Sequence, residues 1–78
     1  MNFNISINTI DKVKRFVNQA SKCEADVDVV CGRYLVDAKS IMGIFSIDLT
    51  REMVLYIHET DTAKLAEYKK LFEEFIIE

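Results

Sequence analysis

The sequence predicts an α/β (α+β) fold of the open-faced sandwich type, with strands on one layer and helices on the other. Two observations carry this. Apolar residues alternate with polar ones in four short segments and recur at three- and four-residue steps in three others, in the order β-α-β-β-α-β-α. A two-residue Gly32-Arg33 turn then joins two of the strands into a hairpin. Pattern alone also permits a ferredoxin-like fold with a helical tail, such as an RNA-recognition or small-ligand regulatory domain.

Each element follows from its own spacing. Phe3, Ile5 and Ile7 alternate with Asn4, Ser6 and Asn8, as in a half-buried strand. Ile10, Val13, Phe16, Val17, Ala20 and Cys23 mark one face of a helix of about fourteen residues. Asn8 or Thr9 supplies its N-cap. Val27, Val29 and Cys31 alternate with Asp26 and Asp28 in a second strand, and Tyr34-Leu35-Val36 is the return strand of the hairpin. A short helix begins after Ser40 and is expected to end near Ile47-Asp48. Met53-Val54-Leu55-Tyr56-Ile57 is the most β-prone run. Leu65, Tyr68, Leu71, Phe72, Phe75 and Ile76 mark a long C-terminal helix capped by Thr60 or Asp61. The expected core is Ile5, Val13, Phe16, Val17, Val27, Val29, Leu55, Ile57, Leu71 and Phe75.

Composition narrows the function. The 78 residues suit a single domain, residues 1–78, with no room for a second core. Half are hydrophobic and 29% charged, so the chain is globular rather than disordered. No apolar run approaches the ~20 residues needed to span a membrane, and Met1-Asn2-Phe3-Asn4 does not read as a secretory signal. A cytoplasmic location without membrane attachment is expected. A net charge of −3 without a basic cluster argues against nucleic acid as a partner. An RNA reader also needs aromatic residues on its central strands to stack bases. Here the strands carry Asp26 and Asp28, with one aromatic each at Tyr34 and Tyr56. Cys23 and Cys31 have neither CxxC spacing nor a neighbouring histidine, so zinc is not expected and no cofactor is. Both fall on apolar faces and read as buried, inert thiols.

The segment Lys39-Ser40-Ile41-Met42-Gly43-Ile44-Phe45-Ser46 carries the most specific signal. Ser40 is a good N-cap, and the same position tolerates a phosphate, since free N–H groups and the helix dipole favour an anion there. Ile41, Met42 and Phe45 share one side of this helix, which is too short to bury every side. The segment, with Ser21-Lys22 through Ala25-Asp26-Val27 upstream, resembles the regulatory serine site of the HPr family, the phosphocarriers of the bacterial sugar phosphotransferase system. The resemblance covers nearly the whole chain. It implies a four-stranded antiparallel sheet with three helices on one face, and partner binding through Ile41, Met42 and Phe45. It also implies phosphorylation of Ser40 by a serine kinase of the HPr type, and partners among the phosphotransferase enzymes. HPr proteins usually close this helix with a glycine. Asp48 stands there instead and is expected to take a left-handed backbone.

The family's active histidine and the arginine two residues on correspond to Thr9 and Asp11, with Lys12 beside them. A phosphoimidazole is a good phosphoryl donor because the neutral ring leaves readily. Phosphate on Thr9 would be an ordinary, stable ester, and the hydroxyl would need an adjacent base to become a nucleophile. Asp11 would repel an incoming phosphate where an arginine would bind it. The resemblance with these changes implies a non-catalytic, partner-binding HPr-like module, neither enzyme nor carrier. A carrier using another acceptor, His58, and an assembly domain reusing the fold are the alternatives. His58 is the one histidine, and it stands at a strand end without an arginine or a glycine-rich loop.

Overall fold

The structure is a computed structural model that describes residues 2–77. Strands β1 (Asn2–Ile5), β2 (Asp26–Cys31), β3 (Tyr34–Asp37) and β4 (Met53–His58) form one sheet in the order β1-β4-β2-β3. All of its pairings are antiparallel. Helices α1 (Ile10–Lys22), α2 (Ile41–Phe45) and α3 (Thr62–Leu71) cover one face. The open-faced sandwich expected from the sequence is the fold found.

Strand alternation decides which residues face the helices. Ile5, Val27, Val29, Leu55 and Ile57 turn inward and are 0–1% exposed. They meet Val13, Phe16 and Ala20 of α1, Ile44 of α2, and Leu65, Phe72 and Phe75 from the C-terminal part. Phe16 lies at the centre of an aromatic cluster, 5.4 Å from Phe72 and 5.3 Å edge-to-face from Phe75 between ring centroids. Cys23 and Cys31 are free and buried, as their apolar faces suggested.

Several sequence expectations are corrected. Val17 and Leu71 are half-buried, while Ile7, Met53 and Phe72 join the core. Ile10 is exposed, because it occupies the first turn of α1, ahead of the buried stripe that begins at Val13. The C-terminal helix does not run through Ile76. It stops at Leu71, and Glu73–Phe75 form a 3-10 turn. Tightening the chain there returns Ile76 and Ile77 to β1: Ile77 N–H donates to Asn4 O at 2.8 Å, and Ile76 bridges Ile5. Arg15 reaches across from α1 to Glu74 at 2.9 Å.

The hairpin needs its glycine. Gly32 has φ +61°, a left-handed backbone that suits glycine at the first position of a two-residue turn whose second residue, Arg33, has negative φ.

Candidate functional site

The segment leading into α2 is fixed before the helix begins. Ala38 is buried and its N–H donates to Val27 O at 2.9 Å. Asp37 accepts the Lys39 N–H on its carboxylate at 2.9 Å and the Ser40 N–H on its carbonyl at 3.1 Å. Ser40 then takes an extended backbone, and its hydroxyl oxygen accepts the Gly43 N–H at 3.2 Å, which is the N-cap the sequence predicts. A side chain on Gly43 would bring a Cβ to 3.3 Å from that oxygen, so glycine leaves the cap room.

α2 is one and a half turns long and buries only Ile44. That orientation turns the residues on either side outward: Met42 is 76% exposed, and Ile41 and Phe45 39% each. The Ser40 hydroxyl therefore stands on an exposed residue beside three exposed apolar side chains.

α2 ends earlier than its sequence suggests. Ser46 caps it in a right-handed conformation, with its N–H on Gly43 O and its hydroxyl donating to the same carbonyl at 2.6 Å. Asp48 has no left-handed backbone, since among the described residues no non-glycine has positive φ. Closing the helix through 3-10-type bonds removes the need for one. Asp48 instead accepts the Thr50 hydroxyl at 2.6 Å and its N–H at 3.0 Å, and these bonds hold its carboxyl below the usual range.

At the start of α1, Thr9 has an extended backbone and its hydroxyl oxygen accepts the Lys12 N–H at 3.1 Å. The oxygen is engaged as a cap, while Lys12 Nζ lies 3.3 Å from Asn8 Oδ1. Asp11 lies in the first turn, exposed, where a carboxylate complements the helix dipole. Exposed Ile10, which the sequence pattern places on the apolar face of the helix, adds a further apolar side chain here.

His58 lies on the other, helix-free face of the sheet. Its Nε2 is 2.7 Å from Asp28 Oδ2 on the neighbouring strand, and its ring lies 4.5 Å from that of Tyr56. Asp26, Val27, Asp28, Asp37 and His58 line a shallow depression of about 420 Å³. Three carboxylates around the ring would oppose an incoming phosphate. Sequence reasoning missed this grouping. The two-residue turn could have given half of it, since Cys31↔Tyr34 forces Asp28 opposite Asp37. The other half, Asp26 opposite His58, depends on a register between strands distant in sequence.

Cys23 is buried against the helix layer, and burial pushes its thiol pKa up from 9.0. Among the described residues no three histidine, cysteine or acidic side chains are grouped so that they could hold a metal ion. Among the described residues no helix is long and apolar enough to cross a membrane.

The comparisons with known proteins converge. The family model described as the PTS HPr component phosphorylation site matches residues 12–74. The match begins just past Thr9 and Asp11. A crystal structure of HPr-C-His from Thermoanaerobacter tengcongensis is similar, with a TM-score of 0.74 and 25% identity over 95% of this chain and 91% of that one. HPr from Bacillus anthracis gives 0.67 and 21%, covering 91% of this chain and 94% of that chain. Bacillus subtilis Crh, a catabolite repression protein whose structure is an intertwined, domain-swapped dimer, gives 0.64 and 23%, covering 95% and 88%. No curated protein sequence matches the chain.

Proposed function

The chain belongs to the HPr family of the bacterial sugar phosphotransferase system, and on that premise we propose that it binds protein partners without carrying phosphate. Family members are phosphocarriers rather than enzymes, and they act through contacts with other proteins of the system. The observation that carries the reading is Thr9. By the HPr resemblance Thr9 holds the place of the phosphoacceptor histidine; its hydroxyl caps α1 and could form only a stable ester, and Asp11 stands where a cation would steady the phosphoryl group.

What remains is a docking surface with a switch. Ile41, Met42 and Phe45 form the apolar contact, and exposed Met in particular adapts to a partner's surface. Ser40 is the regulatory site, modified by a serine kinase of the HPr type. Phosphate would bring about −1.5 to −2 charges to the edge of this patch and oppose an apolar contact.

The test is competition. Phosphoryl transfer from the phosphoenolpyruvate-driven enzyme to a histidine-carrying HPr is followed as this chain is added. The reading expects the transfer to slow, and to slow less once Ser40 is phosphorylated. An unchanged rate with the chain in large excess contradicts it.

A further inference from the structure

The two edges of the sheet are finished differently. The outer side of β1 is occupied by the C-terminal segment, through Ile77 N–H on Asn4 O at 2.8 Å and Ser6 N–H on Phe75 O at 2.9 Å. Among the described residues no strand lies beside the outer side of β3. Tyr34–Asp37 contains no proline and no lysine, and its one charge, Asp37, stands at the end of this four-residue strand. Tyr34 and Leu35 are 63% and 66% exposed.

Register shows which backbone groups this edge offers. β3 pairs with β2 through Cys31↔Tyr34, Val30↔Leu35, Val29↔Val36 and Asp28↔Asp37, and Ala38 N–H continues the ladder to Val27 O. Hydrogen-bonded and non-bonded pairs alternate in such a ladder. Tyr34, Val36 and Ala38 therefore point their backbone groups at β2, while Leu35 and Asp37 point theirs outward. Ser40 N–H already meets the Asp37 carbonyl. The Leu35 N–H and C=O and the Asp37 N–H are left for an incoming strand.

We infer that β3 pairs with β3 of a second copy of this chain, antiparallel and centred on Leu35. The order of charges selects this occupant. Arg33 precedes and Asp37 ends the apolar run Tyr34-Leu35-Val36. Antiparallel pairing about Leu35 sets Arg33 against Asp37 of the partner subunit, at both ends of a two-fold contact. A parallel arrangement would set like charges together. Sliding the strand to the next bonded registers would set Arg33 against Lys39 of the partner subunit, or Asp37 against Cys31 of the partner subunit. Leu35 also lies in a row with Val30 and Val54 across the open face, and the pairing joins two such rows. Neither chain exchanges a strand.

So short an interface is weak, with a Kd on the order of 10 µM to 1 mM. Sedimentation velocity and NMR of the intact chain across that range test it. Dimer should grow with concentration, with shift changes at residues 34–37 and none at residues 2–5. Arg33→Asp and Asp37→Arg, both at exposed positions, should each weaken the dimer at least about tenfold. Mixed in equal amounts, the two variants should pair again, because each supplies the charge the other has lost. A wild-type chain that stays monomeric to about 1 mM overturns the inference. So do concentration-dependent shifts confined to Ile41, Met42 and Phe45, or a mixture no more dimeric than its components.

Discussion

The Gly43 N–H reaches the Ser40 hydroxyl oxygen at 3.2 Å, and a methyl group on Gly43 would lie 3.3 Å from that same oxygen. One glycine thus both satisfies the cap and leaves it space, at a helix-propensity cost of about 1 kcal/mol relative to alanine. Ser40→Ala should destabilise the fold by about 1 kcal/mol, as loss of an N-cap does. Gly43→Ala should be near neutral in the parent, the propensity gain offset by the crowded cap. In the Ser40→Ala background it should stabilise by roughly 0.5–1 kcal/mol. Urea unfolding of the four proteins measures this coupling directly.

Phe16 touches Phe72 and Phe75 and is fully buried. Phe16→Ala should cost about 3–5 kcal/mol, a large part of the ~5–15 kcal/mol typical of a domain. Thermal unfolding should show a much lower midpoint. A loss below about 1 kcal/mol would mean that the cluster is not where the core is held.

These residues also show how far the sequence could be read. Period-two alternation was legible in β1, β2 and β4 because each has one buried and one open face, as Val27 and Asp28 illustrate. The cap of α2 was legible because Ser40 is a local signal. The end of α3 was not, since Leu71, Phe72, Phe75 and Ile76 keep helical spacing through a break. That break is set by the distant pairing of Ile76 and Ile77 with β1. Asp48 misled for a related reason: the turn after α2 closes through Ser46 and Thr50, which no single residue type announces. At the site, the exposure of Ile41, Met42 and Phe45 was foreseen, whereas Ile10 and the His58–Asp28 pair were not. Ile10 lies ahead of the stripe that α1 buries, and the His58–Asp28 pair depends on the register of β4 against β2.

Alkaline pH should weaken the fold. Burial pushes the Cys23 thiol up from its ordinary 9.0, and burial does the same to the Tyr68 phenol from 10.0. The folded state therefore holds these protons more tightly than the unfolded chain does. That contribution is complete at neutral pH and is lost as pH rises through the ordinary thiol value, where the unfolded chain ionises first. Urea midpoints should fall from about pH 8 to about pH 10. Cys23→Ala should flatten part of the fall.

Met42 is exposed and belongs to the proposed docking patch. Met42→Asp should change stability by no more than about 0.5 kcal/mol, as surface substitutions usually do. It should nonetheless weaken binding to a phosphotransferase partner at least about tenfold, since it places a charge in an apolar contact. Calorimetric titration alongside unfolding curves separates the two effects.

On the proposed function this chain binds partners without carrying phosphate. Incubation with the phosphotransfer enzyme of the system and labelled phosphoenolpyruvate, followed by mapping of any label, decides this. The chain should remain unlabelled, while the pair Thr9→His with Asp11→Arg should begin to acquire acid-labile phosphate. Acid-labile label on His58 of the unaltered chain would contradict this reading.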